Sequence, residues 1–338
     1  MGNRAISQVC IFVMLLPAIG LSASAIPEPQ KAQLFPRSIP GQVSRYEVQS
    51  RTVTTGETTT PIVNPEGGSK FTESVHLIVA VRSLEPKLPA GGSSLDRFFA
   101  TFEQAARDSD SDALDLSAAS AGDPFAALAG HSVQYTLDAE GQVRDVEGLE
   151  EVFRDKAAAQ PVLDWLPELS VGSRVPENPV SIGAKWKTEH SVPGMPFDDI
   201  VWHSESTYLR NESCKLYSAA AAQPQGGGSA ETGGGGQGTH ALAGDCAVLL
   251  TRFQVSRQGS PNSDATPPDY VHNSLRTSGK WSGSGESLDS IALDGGRLVS
   301  SSQTSTQDID FTIKAATTGS SIQRQAHSET HTEITLLP

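Results

Sequence analysis

Near the C-terminus the segment Ala326-His-Ser-Glu-Thr-His-Thr-Glu-Ile334 sets two imidazoles and two carboxylates at alternate positions. Imidazole nitrogens and carboxylate oxygens are ligands that zinc accepts. On a helix His327 and His331 would meet across one turn. Ser328, Thr330, Thr332 and Thr335 favour a strand instead, and there the two rings stand about 13 Å apart, too far for one ion. The segment reads as a solvated strand face opposite Ile334 and Leu336. No metal and no cofactor is expected.

Other stretches invite chemistry and fail on spacing. Asp-Ser-Asp-Ser-Asp at 108–112 begins like a calcium loop, which then needs Gly at its sixth position and Glu at its twelfth; Ala113 and Ala119 stand there. Trp-Ser-Gly-Ser-Gly-Glu-Ser at 281–287 resembles a nucleophile elbow, but neither Ser282 nor Ser284 has the flanking glycines at the required distance and no helix follows. Alternating Gly and Ser suits a bent strand better. His131, His190, His203 and His272 show no partner spacing, so no catalytic residue is assigned, although a triad can assemble in space from distant positions. Trp165, Trp186, Trp202 and Trp281 could line a sugar or lipid site, with core packing the commoner role. Asn211-Glu212-Ser213 matches the glycosylation acceptor pattern.

Cys214 and Cys246 flank a Gly-rich stretch, one ending a strand and the other beginning one. If they pair, the loop they close constrains the unfolded chain by roughly 3–4 kcal/mol. The alternative is two buried thiols. An exported chain favours the disulfide, since these are the cysteines left after removal of the N-terminal segment that holds Cys10.

Period two governs the segments that must carry these residues. In Lys70–Leu84, Phe71, Val75, Leu77, Val79 and Val81 fall on one face, and Lys70, Thr72, Ser74, His76 and Arg82 on the other. Segments 44–55, 184–192, 201–210, 246–255 and 307–315 alternate in the same way and are rich in Thr, Val and aromatics. Helical spacing is scarcer. Leu95, Phe98, Phe99, Phe102, Ala105 and Ala106 recur at three and four, with Ser94 as a cap, so the spacing predicts a helix over 93–108. Leu149, Val152 and Phe153 suggest a second helix, broken at Pro161, and Val162, Trp165, Leu166 and Leu169 a short third. Residues 107–130 and 218–244, acid- and Ala-rich and Gly-rich respectively, are expected as flexible insertions.

The N-terminus bears on compartment. Arg4, an apolar run from Val9 to Leu21 and the small residues Ala23-Ser24-Ala25 form the three parts of a signal peptide, with cleavage expected after Ala25. That run is shorter than the roughly 20 residues a spanning helix needs, and Pro17 interrupts it. What remains, 26–338, is read as one curved β domain in the periplasm or outside the cell. With 39 acidic against 25 basic residues, the net charge of −14 repels nucleic acid, which is excluded as a partner.

Two phrases nearly repeat. Leu137-Asp-Ala-Glu-Gly141 and Leu293-Asp-Gly-Gly296 each place Asp at a turn start and Gly where positive φ is needed, so each reads as a tight hairpin. Together with Tyr-Glu-Val at 46–48 and Asn178-Pro-Val-Ser-Ile-Gly-Ala-Lys-Trp186, the order of these cues resembles an uncharacterised family of exported bacterial β-rich proteins. The resemblance implies a strongly curved antiparallel meander sheet or half-barrel, similar to that of lipoprotein carriers, with helices on its concave side. It brings no catalytic residues.

The resulting expectation is a mainly β, non-catalytic exported protein whose concave sheet face, lined by Val75, Leu77, Val79 and Phe253, accepts a lipid, another hydrophobic ligand or a partner segment. The rival is an exported hydrolase whose catalytic groups converge only in the fold.

Overall fold

The computed structural model describes residues 31–34, 39–59, 69–87, 95–111, 126–138, 143–153, 166–169, 175–176, 178–192, 196–214 and 244–338. The expected signal peptide, Trp165 and the Gly-rich stretch at 218–243 lie outside them.

Alternating segments become long antiparallel strands. A short strand β1 (Lys31–Ala32) precedes a meander of β2 (Val43–Thr59), β3 (Ser69–Ser83), β4 (Asp96–Ser111), β5 (Ser132–Leu137) and β6 (Val143–Glu147). After β7 (Val180–Ser181), which pairs only with β1, comes a second meander: β8 (Lys185–Ser191), β9 (Ile200–Ser213), β10 (Asp245–Arg257), β11 (Leu275–Ala292), β12 (Leu298–Ala315) and β13 (Ser321–Leu337). Pairing of β2 with β13, from Arg45↔Leu337 to Thr59↔Gln323, joins the meanders. Among the described residues they form one 11-stranded antiparallel sheet, ordered β6-β5-β4-β3-β2-β13-β12-β11-β10-β9-β8. The chain thus starts mid-sheet, runs out to the edge at β6, crosses to the edge at β8 and returns to the middle. The sheet has two edges and is not closed into a barrel.

Register sorts the side chains onto two unlike faces. Tyr46 and Val48 stand opposite Val79 and Leu77 on one side and Leu336 and Ile334 on the other, so all six point the same way. All are buried, in a main core that also holds Ala100, Phe102, Tyr135, Tyr208 and Leu249. Burial pushes the Tyr46 phenol up to about 12 and raises that of Tyr135 as well. The chain passes between the two edges over 148–184. Of the described residues there, Leu149, Phe153, Leu166, Leu169 and Val175 are buried in the same core, so the crossover covers the apolar face.

A second cluster on this face gathers Phe197, Ile200, Phe253, Val255 and Ala265, with Trp202, Trp281 and Phe311 packed against it. Beside it Arg257, its side chain 2% exposed, pairs with Asp199 at 2.8 Å and donates to the carbonyls of Ser260, Gly279 and Ser263, with its guanidinium 4.8 Å from the Phe197 ring centre. Between the clusters runs a band of paired hydroxyls: Ser50 with Thr332 at 3.1 Å, Thr52 with Thr330 at 3.0 Å, Thr54 with Ser328 at 2.9 Å and Ser206 with Thr251 at 2.8 Å. Each hydroxyl satisfies its neighbour's polar demand, which lets the band lie half-buried between apolar neighbours.

The helix expected over 93–108 is not formed: its described residues make β4. Phe98, Ala100 and Phe102 alternate into the core beside β3, and the register then shifts, Val79 facing Phe102 and Ile78 facing Gln104. Glu103 is the extra residue of a bulge. Phe102 and Ala105 therefore share a face three positions apart, and it is this step that imitates helical spacing. Of the second and third expected helices only short parts are described, and 154–165 lie outside the described residues. The Phe153 amide donates to the Leu149 carbonyl at 2.8 Å, and Pro167–Leu169 is a 3₁₀ turn with Leu169 buried; Pro161 and Val162 lie outside the described residues. Another 3₁₀ turn, Ala126–Leu128, buries Leu128, and α1 (Pro268–His272) precedes β11. Both buried leucines belong to the core on the apolar face. Of the loop expected at 107–130, 107–111 belong to β4 and 126–128 to the 3₁₀ turn, and 112–125 lie outside the described residues.

Candidate binding surface

The face turned away from the core carries the charges. Following register from strand to strand, Lys187, Glu205, Arg252, Glu286, Thr304, His331, Arg51, Ser74 and Asp108 form one continuous row from β8 to β4. At its β8 end the signs alternate. Glu205 lies 3.7 Å from Lys187 and 3.4 Å from Lys185, and Arg252 lies 3.6 Å from Glu286. Opposite charges on directly facing residues are favourable in a sheet. All are solvent-facing pairs, individually weak, so their effect is to define a surface more than to hold the fold.

Twist makes a long sheet saddle-shaped, hollow on each face along a different diagonal. Three of the hollows on the polar face, among the described residues, gather charged side chains. The largest, about 1090 Å³, spans β2 and β8 to β13 and is lined by Arg51, Lys187, His203, Arg252, Glu286, Glu329 and His331, among others. A second of about 590 Å³ shares Arg51 and His331 with it and adds His76, Asp108 and Glu333. A third of about 660 Å³ holds Lys70, Lys280, Asp308, Asp310 and His327.

Every histidine in these hollows contacts a carboxylate. His76 Nε2 is 2.9 Å from Glu47, His203 Nδ1 3.2 Å from Glu189, and His331 Nε2 3.3 Å from Glu333. His327 touches two, Asp308 at 2.8 Å and Glu329 at 3.6 Å. The hydrogen bond it donates to Asp308 raises the His327 imidazole above its ordinary value. At Glu47 burial pushes the carboxyl up, but hydrogen bonds from His76 and Gln49 outweigh this and hold it below the usual range. His327 contacts carboxylates through both ring nitrogens, whereas His76, His203 and His331 each do so through one. His190 lies on the apolar face instead, stacked on Trp202, and burial lowers its value.

The residues singled out in the sequence separate into these settings. His327, Glu329, His331 and Glu333 share the polar face, and among the described residues no group of three or more metal-binding side chains assembles. Asp108 and Asp110 lie in β4, and the 281–287 segment in β11. Gly285 there faces Phe253, and a Cβ on it would stand 2.4 Å from that ring and 2.3 Å from the Thr304 carbonyl. Phe253 fills this space and stacks on Trp202 at 4.1 Å. Val75, Leu77 and Val79 adjoin the main core, whereas Phe253 belongs to the second cluster on the same face. Leu77, Val79 and Phe253 are 1%, 0% and 5% exposed. Trp186 packs on the main core and Trp281 on the second cluster.

Cys214 and Cys246 form a disulfide with Cα atoms 5.0 Å apart, closing β9 onto β10. Asn211, in the exposed end of β9, accepts a hydrogen bond from the Tyr208 hydroxyl. Arg51, His76 and His203 were not singled out by spacing. Their alternation was legible, but their meeting in common hollows depends on register.

No protein-family model and no curated protein matches the chain. Among solved structures it is similar to lipovitellin, in a structure titled "Lipid-protein interactions in lipovitellin", with a TM-score of 0.43 and 12% identity over 89% of this chain and 26% of that one. The chain thus spans about a quarter of lipovitellin's length, and the likeness is too distant to carry a ligand or a partner across.

Proposed function

We propose that this is a non-catalytic, exported binding protein that holds a polar segment of a partner polypeptide against the charged face of its sheet. The observation carrying this reading is the hollow of about 1090 Å³ that spans seven strands and whose floor alternates cations and carboxylates from β8 to β11. Such a surface discriminates partners by charge register and speeds their encounter more than it adds raw affinity. Export is supported by the Cys214–Cys246 disulfide, which persists in oxidising compartments, and by the signal-like pattern ending at Ala25.

A hydrophobic guest on the apolar face is the weaker reading. Leu77 and Val79 already pack in the core that Leu149, Phe153, Leu166 and Leu169 close over, so a lipid there would have to displace the chain's own cover. Two measurements separate the readings. A photoreactive side chain placed at Ser284, in the large hollow, should crosslink to a polypeptide in the native host, and Arg252→Glu should abolish the crosslink. Mass spectrometry of natively purified protein should find no stoichiometric lipid. A bound lipid together with no crosslink from Ser284 would overturn the proposal in favour of the apolar guest.

A further inference from the structure

Arg51 occupies an unusual position among the cations of the polar face. It is exposed and lines both the largest hollow and the second one, which meet at it. Arg45 and Arg252 on this face each have a carboxylate in ion-pair contact, whereas among the described residues Arg51 has none. A guanidinium with free donors in an open hollow is shaped for a carboxylate, which it can grip with two parallel hydrogen bonds.

Its surroundings titrate. Across β13 Arg51 faces His331, and across β3 it faces Ser74, next to His76 on the same face. His331 in turn faces Thr304 on β12, with Glu329 and Glu333 flanking it on its own strand. His76 faces Gln49 on β2 and Ala106 on β4, with Glu47 in contact and Asp108 across from Ser74. While both imidazoles are neutral, Glu47, Glu329, Glu333 and Asp108 outnumber Arg51 and repel an anion. Protonation places a positive charge against Glu47 and another against Glu333, cancelling both.

We propose that Arg51 is the anchor for an acidic side chain of the bound segment, and that His76 and His331 strengthen this contact as the pH falls. The inference rests on the polar face being the binding surface and adds which charge the partner brings and when it is held.

The test is fluorescence anisotropy of a rhodamine-labelled oligoglutamate peptide, with oligoglutamine as control, on the full chain at constant ionic strength. Wild type should bind oligoglutamate about tenfold more tightly at about pH 5.5 than at about pH 7.5. Arg51→Gln should lose most of this binding at both values, and Arg51→Lys should recover part of it. The double variant His76→Gln/His331→Gln should bind at about pH 5.5 as wild type does at about pH 7.5. Circular dichroism of each variant keeps folding separate from binding. Unchanged affinity in Arg51→Gln, or a pH dependence that survives in the double histidine variant, would overturn the inference while leaving the binding surface standing. Loss of the Ser284 crosslink with a normal Arg51-dependent anisotropy would instead overturn the proposed partner segment.

Discussion

At the scale of single residues, the strongest constraints are buried and lie away from the charged face. Arg257 makes its ion pair and carbonyl contacts with its side chain almost fully enclosed. Replacing it leaves Asp199 without its ion-pair partner and removes the guanidinium donors from the Ser260, Ser263 and Gly279 carbonyls, so Arg257→Gln should cost about 3–5 kcal/mol, read from the urea midpoint. Gly285→Ala should cost about 1–3 kcal/mol, because the new methyl meets the Phe253 ring and a backbone oxygen that cannot rotate away. On the exposed face the effects are electrostatic and small. The His327 imidazole is raised by Asp308, so any stability it adds is present below the unfolded value near 6.5 and fades as pH climbs through the higher folded value. Asp308→Asn should bring the His327 NMR titration midpoint down, and an unmoved midpoint would remove Asp308 as the cause.

At the scale of elements, the disulfide and the bulges decide how strands end and lean. Reduction of Cys214–Cys246 should lower stability by roughly 3–4 kcal/mol and reduce the melting temperature without removing the β signal in circular dichroism. The strands around this bond were legible from alternation, and the pairing of the two cysteines was one of two open alternatives. β4 was not legible. Its bulge at Glu103 inserts one residue between Phe102 and Gln104, and a single insertion into a period of two produces a step of three that is also found on helices. Only the open edge of β3, which β4 pairs along, separates the two readings.

For the molecule as a whole, the decisive contact joins its ends. β2 and β13 pair although Ser50 and Thr332 lie 282 residues apart in sequence, and each meander contributes buried residues to the same core. Unfolding of the intact chain should therefore be a single cooperative transition in urea. Deleting 321–338 removes Ile334 and Leu336 from the core and exposes β2 and β12 as new edges, so the truncated chain should lose that cooperativity and aggregate. A truncated chain with an unchanged midpoint and sharpness would show that the two meanders fold independently.

From its own order of side chains the chain determined that it is mainly antiparallel β, that its strands have an oily and a wet side, and that a hairpin turns at Asp294-Gly295-Gly296, while the turn expected at 139–142 lies outside the described residues. Period two is a property of neighbouring residues, and so it survives without any knowledge of the fold. Tertiary structure decided which residues share a surface. It assigned Val75, Leu77 and Val79 to one core and Phe253 to another, and it aligned Arg51 with His331 from opposite ends of the chain. Those placements depend on cross-strand register, which is set by the mutual fit of strands distant in sequence and by one-residue bulges.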